Sequence, residues 1–142
     1  MIYKYEVKRT LIKERPTENP MSSPNAIYDL FKDYFSGLTR EHFEVLHLDT
    51  KNKVIGKEVI SIGTLDATVV HARDIFKSAI IQNSASIILM HNHPSGDPNP
   101  SRDDLKTSEK IKSVGEIVGI KVLDHIIFGD YFYSMKQNCE IF

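Results

Sequence analysis

Cysteine is nearly absent from this chain: Cys139 is the only one among 142 residues, and tryptophan does not occur. One cysteine cannot form an internal disulfide, so the sequence fits a reducing compartment and we expect a cytoplasmic protein. The shortage of cysteine also excludes a zinc deaminase, because the metal site of those enzymes needs a P-C-x-x-C motif.

Long apolar stretches are also missing. A membrane-spanning helix needs about 18 or more consecutive apolar residues, and no such run occurs. Lysines and arginines interrupt residues 1–15, which contain no apolar segment of the kind found in signal peptides. The sequence therefore predicts neither a membrane span nor a signal peptide.

Neither sign of charge dominates, since 18 lysines and arginines are balanced by 19 aspartates and glutamates, for a net charge of −1. This balance indicates no particular polyanionic partner. Residues 1–15 are locally basic, which leaves contact with nucleic acid open, although we favour a solvated edge strand over residues 2–12. Such a strand could pair with a second copy of the chain, so a homo-oligomer is an alternative to a monomer.

The length fits one domain, and we divide the chain into an N-terminal edge strand and linker, residues 1–20, and a domain over residues 21–142. The predicted core residues of a helix that starts at Ser23-Pro24 and stops near Gly37 are Ile27, Leu30, Phe31 and Tyr34. A second helix contains Ile75 to Ile80. A third covers 102–118, with predicted core residues Leu105, Ile111, Val114, Ile117 and Val118. Strands are expected over 41–48, 53–62, 84–90, 120–128 and 131–135. This mixed order predicts an α/β or α+β fold.

A pair of histidines follows the predicted strand at 84–90. With two residues further along the chain it forms the spacing H-x-H-x7-S-x2-D, carried by His91, His93, Ser101 and Asp104. Two imidazoles and one carboxylate are a three-ligand set for a zinc-like ion, and they leave a fourth position for water. That open position distinguishes a catalytic metal site from a closed structural one.

The predicted secondary structure would bring these ligands together. His91 and His93 extend the strand, and side chains two apart in a strand point to the same side. The loop over 94–100 contains three prolines and one glycine, which indicates a stiff turn. It can return Asp104, in the first turn of the next helix, to the two histidines.

Two of the residues near this motif have a second interpretation. Ser101 and Asp104 fit a capping box at the start of a helix, which is compatible with a metal site because a first-turn aspartate can still face an ion. His125 follows Asp124 in a predicted strand, and such a pair can support a metal ligand from behind. A buried structural histidine is the more common role, and we favour it for His125.

The H-x-H-x7-S-x2-D spacing resembles the signature of JAMM (MPN+) metalloproteases. Further segments narrow the resemblance to the RadC family, long called DNA repair proteins; they are REHF at 40–43, LDTKN at 48–52, GTL at 63–65, HNHPSGD at 91–97 and LDHII at 123–127. The similarity covers roughly residues 20–136. It implies a curved mixed β-sheet flanked by helices, as in MPN domains, and a zinc-dependent hydrolase.

The resemblance also implies roles for single residues. Those that match the zinc ligands are His91, His93 and Asp104. Ser101 matches the serine that helps to stabilise the oxyanion. The glutamate that acts as general base matches Glu41 best, at the entry of its strand, with Glu44 as the alternative. Longer RadC proteins carry a helix-hairpin-helix region ahead of this domain, whereas residues 1–20 show no G-x-G hairpin pattern.

The implied activity is hydrolysis of a peptide or isopeptide bond in a protein or peptide substrate. A metal-dependent nuclease is the enzymatic alternative, prompted by the family's repair name, although the key residues of HNH nucleases are spread over a ββα unit. The non-enzymatic alternative is a protein-interaction module in which the metal braces the fold. All the ligands are present here, which favours catalysis.

Overall fold

The computed structural model describes residues 1, 2, 4, 20–63, 70–139 and 141–142. The edge strand expected over 2–12 and most of the linker before residue 20 lie outside the described residues. Within the described part the elements follow in the order α1 (Pro24–Ser36), β1 (His42–Leu48), β2 (Val54–Ile62), α2 (Ala72–Ile81), β3 (Ser86–Asn92), α3 (Arg102–Val118), β4 (Lys121–Phe128), β5 (Phe132–Ser134) and α4 (Met135–Asn138).

The strands form one mixed sheet in the order β2-β1-β3-β4-β5. Strand β1 runs antiparallel to both β2 and β3, whereas β3 and β4 are parallel and are connected through α3. Strand β5 returns antiparallel to β4. The prediction of a mixed α/β fold with a helix-flanked sheet is therefore confirmed.

Strand β3 lies in the middle of the sheet, and all seven of its residues are buried. Its apolar side chains alternate between two cores, as the two-residue period of a strand requires. Ile87 and Leu89 pack with α2 and α3, whereas Ile88 and Met90 pack with α1. The strand is thus fixed on both faces, and its C-terminal end provides a rigid base for the residues that follow.

Helix α1 lies where the Ser23-Pro24 start signal predicts it, but its buried face differs from the prediction. Ile27 and Phe35 are buried, whereas Leu30 and Tyr34, predicted as core residues, are 40% and 39% exposed. Positions 27, 31 and 35 share one stripe toward the sheet. Positions 30 and 34 lie about 100° around the helix axis from positions 31 and 35, so they face the solvent edge.

Helix α3 also begins and ends where predicted, and Gly119 closes it in the left-handed conformation at φ 83°. Its buried stripe contains Ser108, Ile111 and Gly115. A Cβ atom on Gly115 would lie 2.6 Å from the Ile120 carbonyl oxygen, so only glycine allows α3 to approach β4 this closely.

The predicted burial of two residues of α3 is wrong. Ile117 is 85% exposed and Val118 is 42% exposed. Position 117 is six residues beyond buried Ile111, which places it about 240° around the helix and away from the sheet. Val118 lies on the inward stripe but in the last residue of the helix, where the chain turns back into β4.

The C-terminal part is only partly as predicted. The strand expected over 131–135 is reduced to the three residues of β5, and the short helix α4 follows, with Met135 buried. Ser134 caps α4 by accepting a hydrogen bond from the backbone N–H of Gln137. Among the described residues, every helix is too short or too polar to cross a bilayer.

Candidate metal centre

The two histidines of the H-x-H motif meet at the C-terminal end of β3. The Nε2 atoms of His91 and His93 are 2.9 Å apart, because side chains two residues apart along the extended chain face the same side. The His91 side chain is 1% exposed and that of His93 is 17% exposed. The pair therefore lies at the boundary between the protein interior and solvent.

The loop after β3 brings Asp104 back to this pair. Its Oδ1 atom lies 3.3 Å from Nε2 of His91, and its Oδ2 atom lies 3.3 Å from Nε2 of His93. Each carboxylate oxygen thus faces one imidazole. The predicted convergence of the three side chains is present in the structure.

The course of this loop is fixed by backbone bonds around Gly96. Its N–H donates to the His93 carbonyl oxygen at 3.0 Å, and its own carbonyl oxygen accepts from the backbone N–H of Asp130 at 2.7 Å. Gly96 has φ 92°, and a Cβ atom there would lie 2.7 Å from the Asp130 carboxylate, so the position requires glycine. The Nδ1 atom of His93 lies 2.7 Å from the Asp97 carbonyl oxygen, which orients its ring.

The capping box predicted at the start of α3 is confirmed. Ser101 Oγ accepts from the backbone N–H of Asp104 at 3.1 Å, and Asp104 Oδ2 accepts from the backbone N–H of Ser101 at 2.8 Å. Asp104 therefore caps the helix and faces the histidines at the same time. Because the Ser101 hydroxyl accepts in this bond, its own hydrogen stays available for donation.

Glu41 completes the cluster. Its Oε1 atom lies 3.9 Å from Nε2 of His91, and the Glu41 side chain is 32% exposed. Four side chains each offer one donor atom here, and these four atoms all lie within 4.8 Å of one another. The four residues are Glu41, His91, His93 and Asp104. Such a set of imidazole and carboxylate donors could hold a metal ion.

Glu44, the alternative to Glu41, lies elsewhere. Its fully buried carboxylate accepts from the Tyr34 hydroxyl at 2.8 Å and pairs with Lys57 Nζ at 2.6 Å. The Lys57 ammonium also lies 4.2 Å from the centre of the Tyr34 ring. Burial, together with the bond to Glu44, raises the pKa of Tyr34 to about 12. Glu44 thus links β1 and β2 to α1, on the face opposite to the cluster.

The charges in the cluster stabilise one another. Burial acts to raise the pKa of Asp104, but its contacts with the imidazoles of His91 and His93 outweigh that effect and hold the pKa well below its usual range. Burial acts to lower the pKa of His93, and the bonds to Asp104 and to the Asp97 carbonyl raise it overall. The contacts therefore favour an ionised Asp104 carboxylate beside the imidazole of His93.

A second layer of side chains lies behind His91. Its Nδ1 atom is 2.6 Å from Nε2 of His125, whose Nδ1 atom is 2.5 Å from Ser108 Oγ. The ring of His125 is fully buried, and burial lowers its pKa well below the ordinary value, assisted by the neighbouring His91. The sequence favoured a structural role for His125, whereas the structure places it against a residue of the cluster.

Asp124, the other member of the Asp-His pair, does not support the ring. Its carboxylate accepts from the backbone N–H groups of His125 and Lys136 and from the Ser134 hydroxyl. Burial raises the pKa of Asp124 against the effect of these bonds. Asp124 therefore fixes the junction between β4, β5 and α4, and the contact with His91 comes from the His125 ring alone.

Asn92 is a further residue that the sequence reasoning missed. Its Oδ1 atom accepts from the backbone N–H of His42 at 2.8 Å, and its Nδ2 atom donates to the Arg40 carbonyl oxygen at 3.0 Å. These two bonds hold the chain on either side of Glu41. The asparagine between the two histidines thus connects the end of β3 to the backbone that carries the fourth member of the cluster.

A cleft of about 130 Å³ lies next to His93 on the α1 side of the sheet. The residues that line it come from the end of α1, the loop after β3 and the β4–β5 turn, and include Phe35, Ser36, Leu38, Pro94 and Phe128. Lys32 and Asp130 add charged groups to its wall. The cleft therefore combines apolar side chains with polar and charged ones, and His93 connects it to the cluster.

The protein is thus of the α/β class, with a mixed β-sheet flanked by helices. The cluster of two histidines, an aspartate and a glutamate at the end of β3 is its candidate metal centre. Residues 21–140 match the RadC-like JAB domain, and the chain belongs to that family. This finding confirms the resemblance that the motifs indicated.

Curated relatives agree with the family assignment. A protein of Methanococcoides burtonii is 50% identical over 138 residues, covering 94% of this chain and 59% of the relative. A protein of Desulforamulus reducens is 53% identical over 116 residues, covering 81% of this chain and 51% of the relative. A protein of Caldanaerobacter subterraneus is 47% identical over 126 residues, covering 88% of this chain and 54% of the relative. All three are named UPF0758 protein, a name that states no activity, and the chain spans between half and three-fifths of their length.

Proposed function

We propose that this domain is a zinc-dependent hydrolase of the JAMM type that cleaves a peptide or isopeptide bond in a protein or peptide substrate. The observation that carries the proposal is the spacing of the donor atoms of three side chains. The Nε2 atoms of His91 and His93 lie 2.9 Å apart, and each lies 3.3 Å from a different oxygen of the Asp104 carboxylate. Zinc bonds of about 2.0–2.2 Å at tetrahedral angles separate neighbouring ligand atoms by about 3.3–3.6 Å. The donor atoms are therefore close to the spacing that one zinc ion requires.

The proton arrangement around His93 supports the same conclusion. A carbonyl oxygen can only accept, so the contact with Asp97 requires a hydrogen on Nδ1 of His93. In its neutral form this ring then presents the lone pair of Nε2 to the cluster, opposite the nitrogen of His91 and beside a carboxylate. Lone pairs and negative charge at such distances repel one another unless a cation lies between them, and a nitrogen-and-oxygen donor set suits zinc.

The side chains divide the chemistry among them. When bound, zinc supplies Lewis acidity that makes a water molecule nucleophilic near neutral pH. The Glu41 carboxylate, partly exposed and 3.9 Å from His91, accepts a proton from the attacking water and later delivers it to the leaving amine. The Ser101 hydroxyl donates a hydrogen bond to the carbonyl oxygen as negative charge develops there. One side of the substrate occupies the cleft beside His93.

Two measurements on purified protein test this proposal. We expect one zinc ion per chain by elemental analysis and titration, and loss of that stoichiometric binding in Asp104→Ala. We then expect the zinc-loaded protein to generate new amino termini or free lysine amines in a library of peptides and isopeptide-linked conjugates. Cleavage of DNA without cleavage of peptides, or failure of the wild-type protein to bind a transition metal, contradicts the proposal.

A further inference from the structure

We propose that His125 is a positioning residue for His91, and that Ser108 fixes the ring of His125 for this purpose. The proposal rests on the proposed function, because it assigns His91 the task of binding the metal through Nε2. Its role is distinct from those of the four cluster residues, since His125 contacts only the far side of the His91 ring. The positions of the hydrogens on the contacts from Ser108 through His125 to His91 decide which nitrogen of His91 can bind an ion.

The chain of contacts starts at Ser108. Its hydroxyl donates to the backbone carbonyl oxygen of Asp104 at 2.9 Å, one turn earlier in α3. A hydroxyl that donates there can accept from Nδ1–H of His125, and this contact measures 2.5 Å. Neutral His125 with its hydrogen on Nδ1 has a free lone pair on Nε2, which faces His91.

The position of the hydrogen on His91 follows from that on His125. Nε2 of His125 accepts from Nδ1–H of His91 across 2.6 Å, so His91 carries its hydrogen on the side away from the cluster. Its Nε2 atom then offers a lone pair toward Asp104 and His93. The opposite order of hydrogens would place one on Nε2 of His91, where it would block coordination of an ion.

Packing fixes the rings as well as the bonds. The rings of His91 and His125 are 1% and 0% exposed. The Phe43 ring stacks on His91 at a centroid distance of 5.8 Å and meets His125 edge-on at 5.4 Å. Ser108 is fully buried in α3 behind them. A buried acceptor in a fixed place can therefore set the tautomer of His91 before any ion arrives.

Ser108 also connects two of the proposed ligands. It bonds to the backbone of Asp104 directly and to His91 through His125, while Asp104 Oδ1 faces His91 Nε2 at 3.3 Å. The four residues thus close a ring of contacts that joins β3, β4 and the first two turns of α3. Partners behind a metal-binding histidine commonly contribute about 10–100-fold to metal affinity.

The experiment combines two readouts on the same variants. The first is zinc affinity, measured by competition with a chromophoric chelator. The second is the tautomer of His91 in metal-free protein at about pH 8, read from long-range ¹H–¹⁵N correlations of the imidazole nitrogens, which does not depend on zinc or on activity. The variants are His125→Leu, which removes the acceptor, and His125→Gln, whose side-chain oxygen can replace it. Ser108→Ala provides a milder change if His125→Leu fails to fold.

His47 offers a matched control, because it is also a fully buried, hydrogen-bonded histidine of the sheet, with its ring bonded to Ser78 and Ser84 instead of to the cluster. We expect His47→Leu to lose stability but to keep wild-type zinc affinity. We expect His125→Leu to bind zinc about 10–100-fold more weakly, Ser108→Ala to lose less, and His125→Gln to recover part of the loss. In the wild type, the hydrogen of His91 should lie on Nδ1, and His125→Leu should reduce that preference.

The outcomes separate the two proposals. Absence of zinc binding by the wild-type protein overturns the proposed metal centre. Normal binding by the wild type together with unchanged binding by both His125→Leu and Ser108→Ala overturns the role of His125 and leaves the metal centre intact. A His91 hydrogen on Nε2 in the wild-type protein also overturns that role.

Discussion

Glu41 and Glu44 are three residues apart in the chain, yet their carboxylates lie on opposite faces of the sheet. Glu41 faces His91, whereas Glu44 accepts from the Tyr34 hydroxyl beneath α1. One glutamate is therefore available to a reacting molecule, and the other is enclosed by a lysine and a tyrosine. This separation makes the two residues a matched pair for testing the general base.

We expect Glu41→Gln to lower the turnover of the zinc-loaded protein by about 10²–10⁴-fold, because the amide cannot accept the proton. Zinc affinity should remain close to that of the wild type, since the proposed ligands are unchanged. Turnover of a cleaved peptide and zinc competition on the same samples measure the two effects.

Glu44→Gln serves as the control for that experiment. It removes the charge that pairs with Lys57, so the free energy of unfolding should fall by about 1–3 kcal/mol, while turnover and zinc affinity stay near wild type. If the Glu44 variant loses turnover and the Glu41 variant keeps it, the assignment of the base is reversed.

Ser101 has two tasks in our scheme, capping α3 and donating to the developing oxyanion, and two substitutions separate them. Alanine at an N-cap costs about 1 kcal/mol, whereas glycine costs only a few tenths. Both remove the hydroxyl, so we expect turnover to fall about 10²–10³-fold in Ser101→Ala and in Ser101→Gly alike. Urea unfolding should show a stability loss mainly in the alanine variant. If turnover falls in the destabilised Ser101→Ala variant but stays near wild type in Ser101→Gly, the role of Ser101 is limited to capping.

Much of the site could be predicted because its geometry is local. The convergence of His91 and His93 needs only the two-residue period of a strand. The return of Asp104 needs only a stiff loop and a helix start, and the capping signal at Ser101 marks that start. These are features that a short stretch of sequence determines by itself.

The contact of His125 could not be predicted in the same way, because it depends on the register between two strands. Ile87 pairs with Val122, but the next residue, Ile88, pairs with Asp124, so β4 contains one extra residue at that point. Simple alternation from Val122 would place His125 on the opposite face. The irregularity instead turns it toward α3 and His91, which is a property of the assembled sheet.

Asn92 provides a test of how the backbone positions Glu41. In Asn92→Asp the carboxylate can still accept from the His42 N–H but can no longer donate to the Arg40 carbonyl. Displacements of about 1 Å in a reacting group can cost about 10²-fold, so we expect a loss of turnover of about 10-fold or more. KM and zinc affinity should change little. An equal loss of zinc affinity would indicate a general disturbance of the end of β3.

We expect the buried ring of His47 to reduce the stability of the fold in acid. Its fully buried ring contacts Ser78 and Ser84, and burial lowers its pKa from 6.5 to about 4, with Glu58 acting in the opposite direction. The unfolded chain therefore binds a proton at this residue below about pH 6.5, while the folded chain does so only near pH 4. Stability from His47 is present above pH 6.5 and is lost as the pH falls toward 4.

The size of this effect follows from the shift. Between pH 7.5 and pH 5, His47 alone should reduce the free energy of unfolding of metal-free protein by about 2 kcal/mol. His47→Gln cannot titrate, so its loss over the same range should be smaller by about that amount, with the other histidines contributing equally to both proteins. Urea unfolding at the two pH values measures the difference. Parallel pH dependence of the wild type and the variant would show that the ring of His47 takes up its proton in the folded protein as readily as in the unfolded chain.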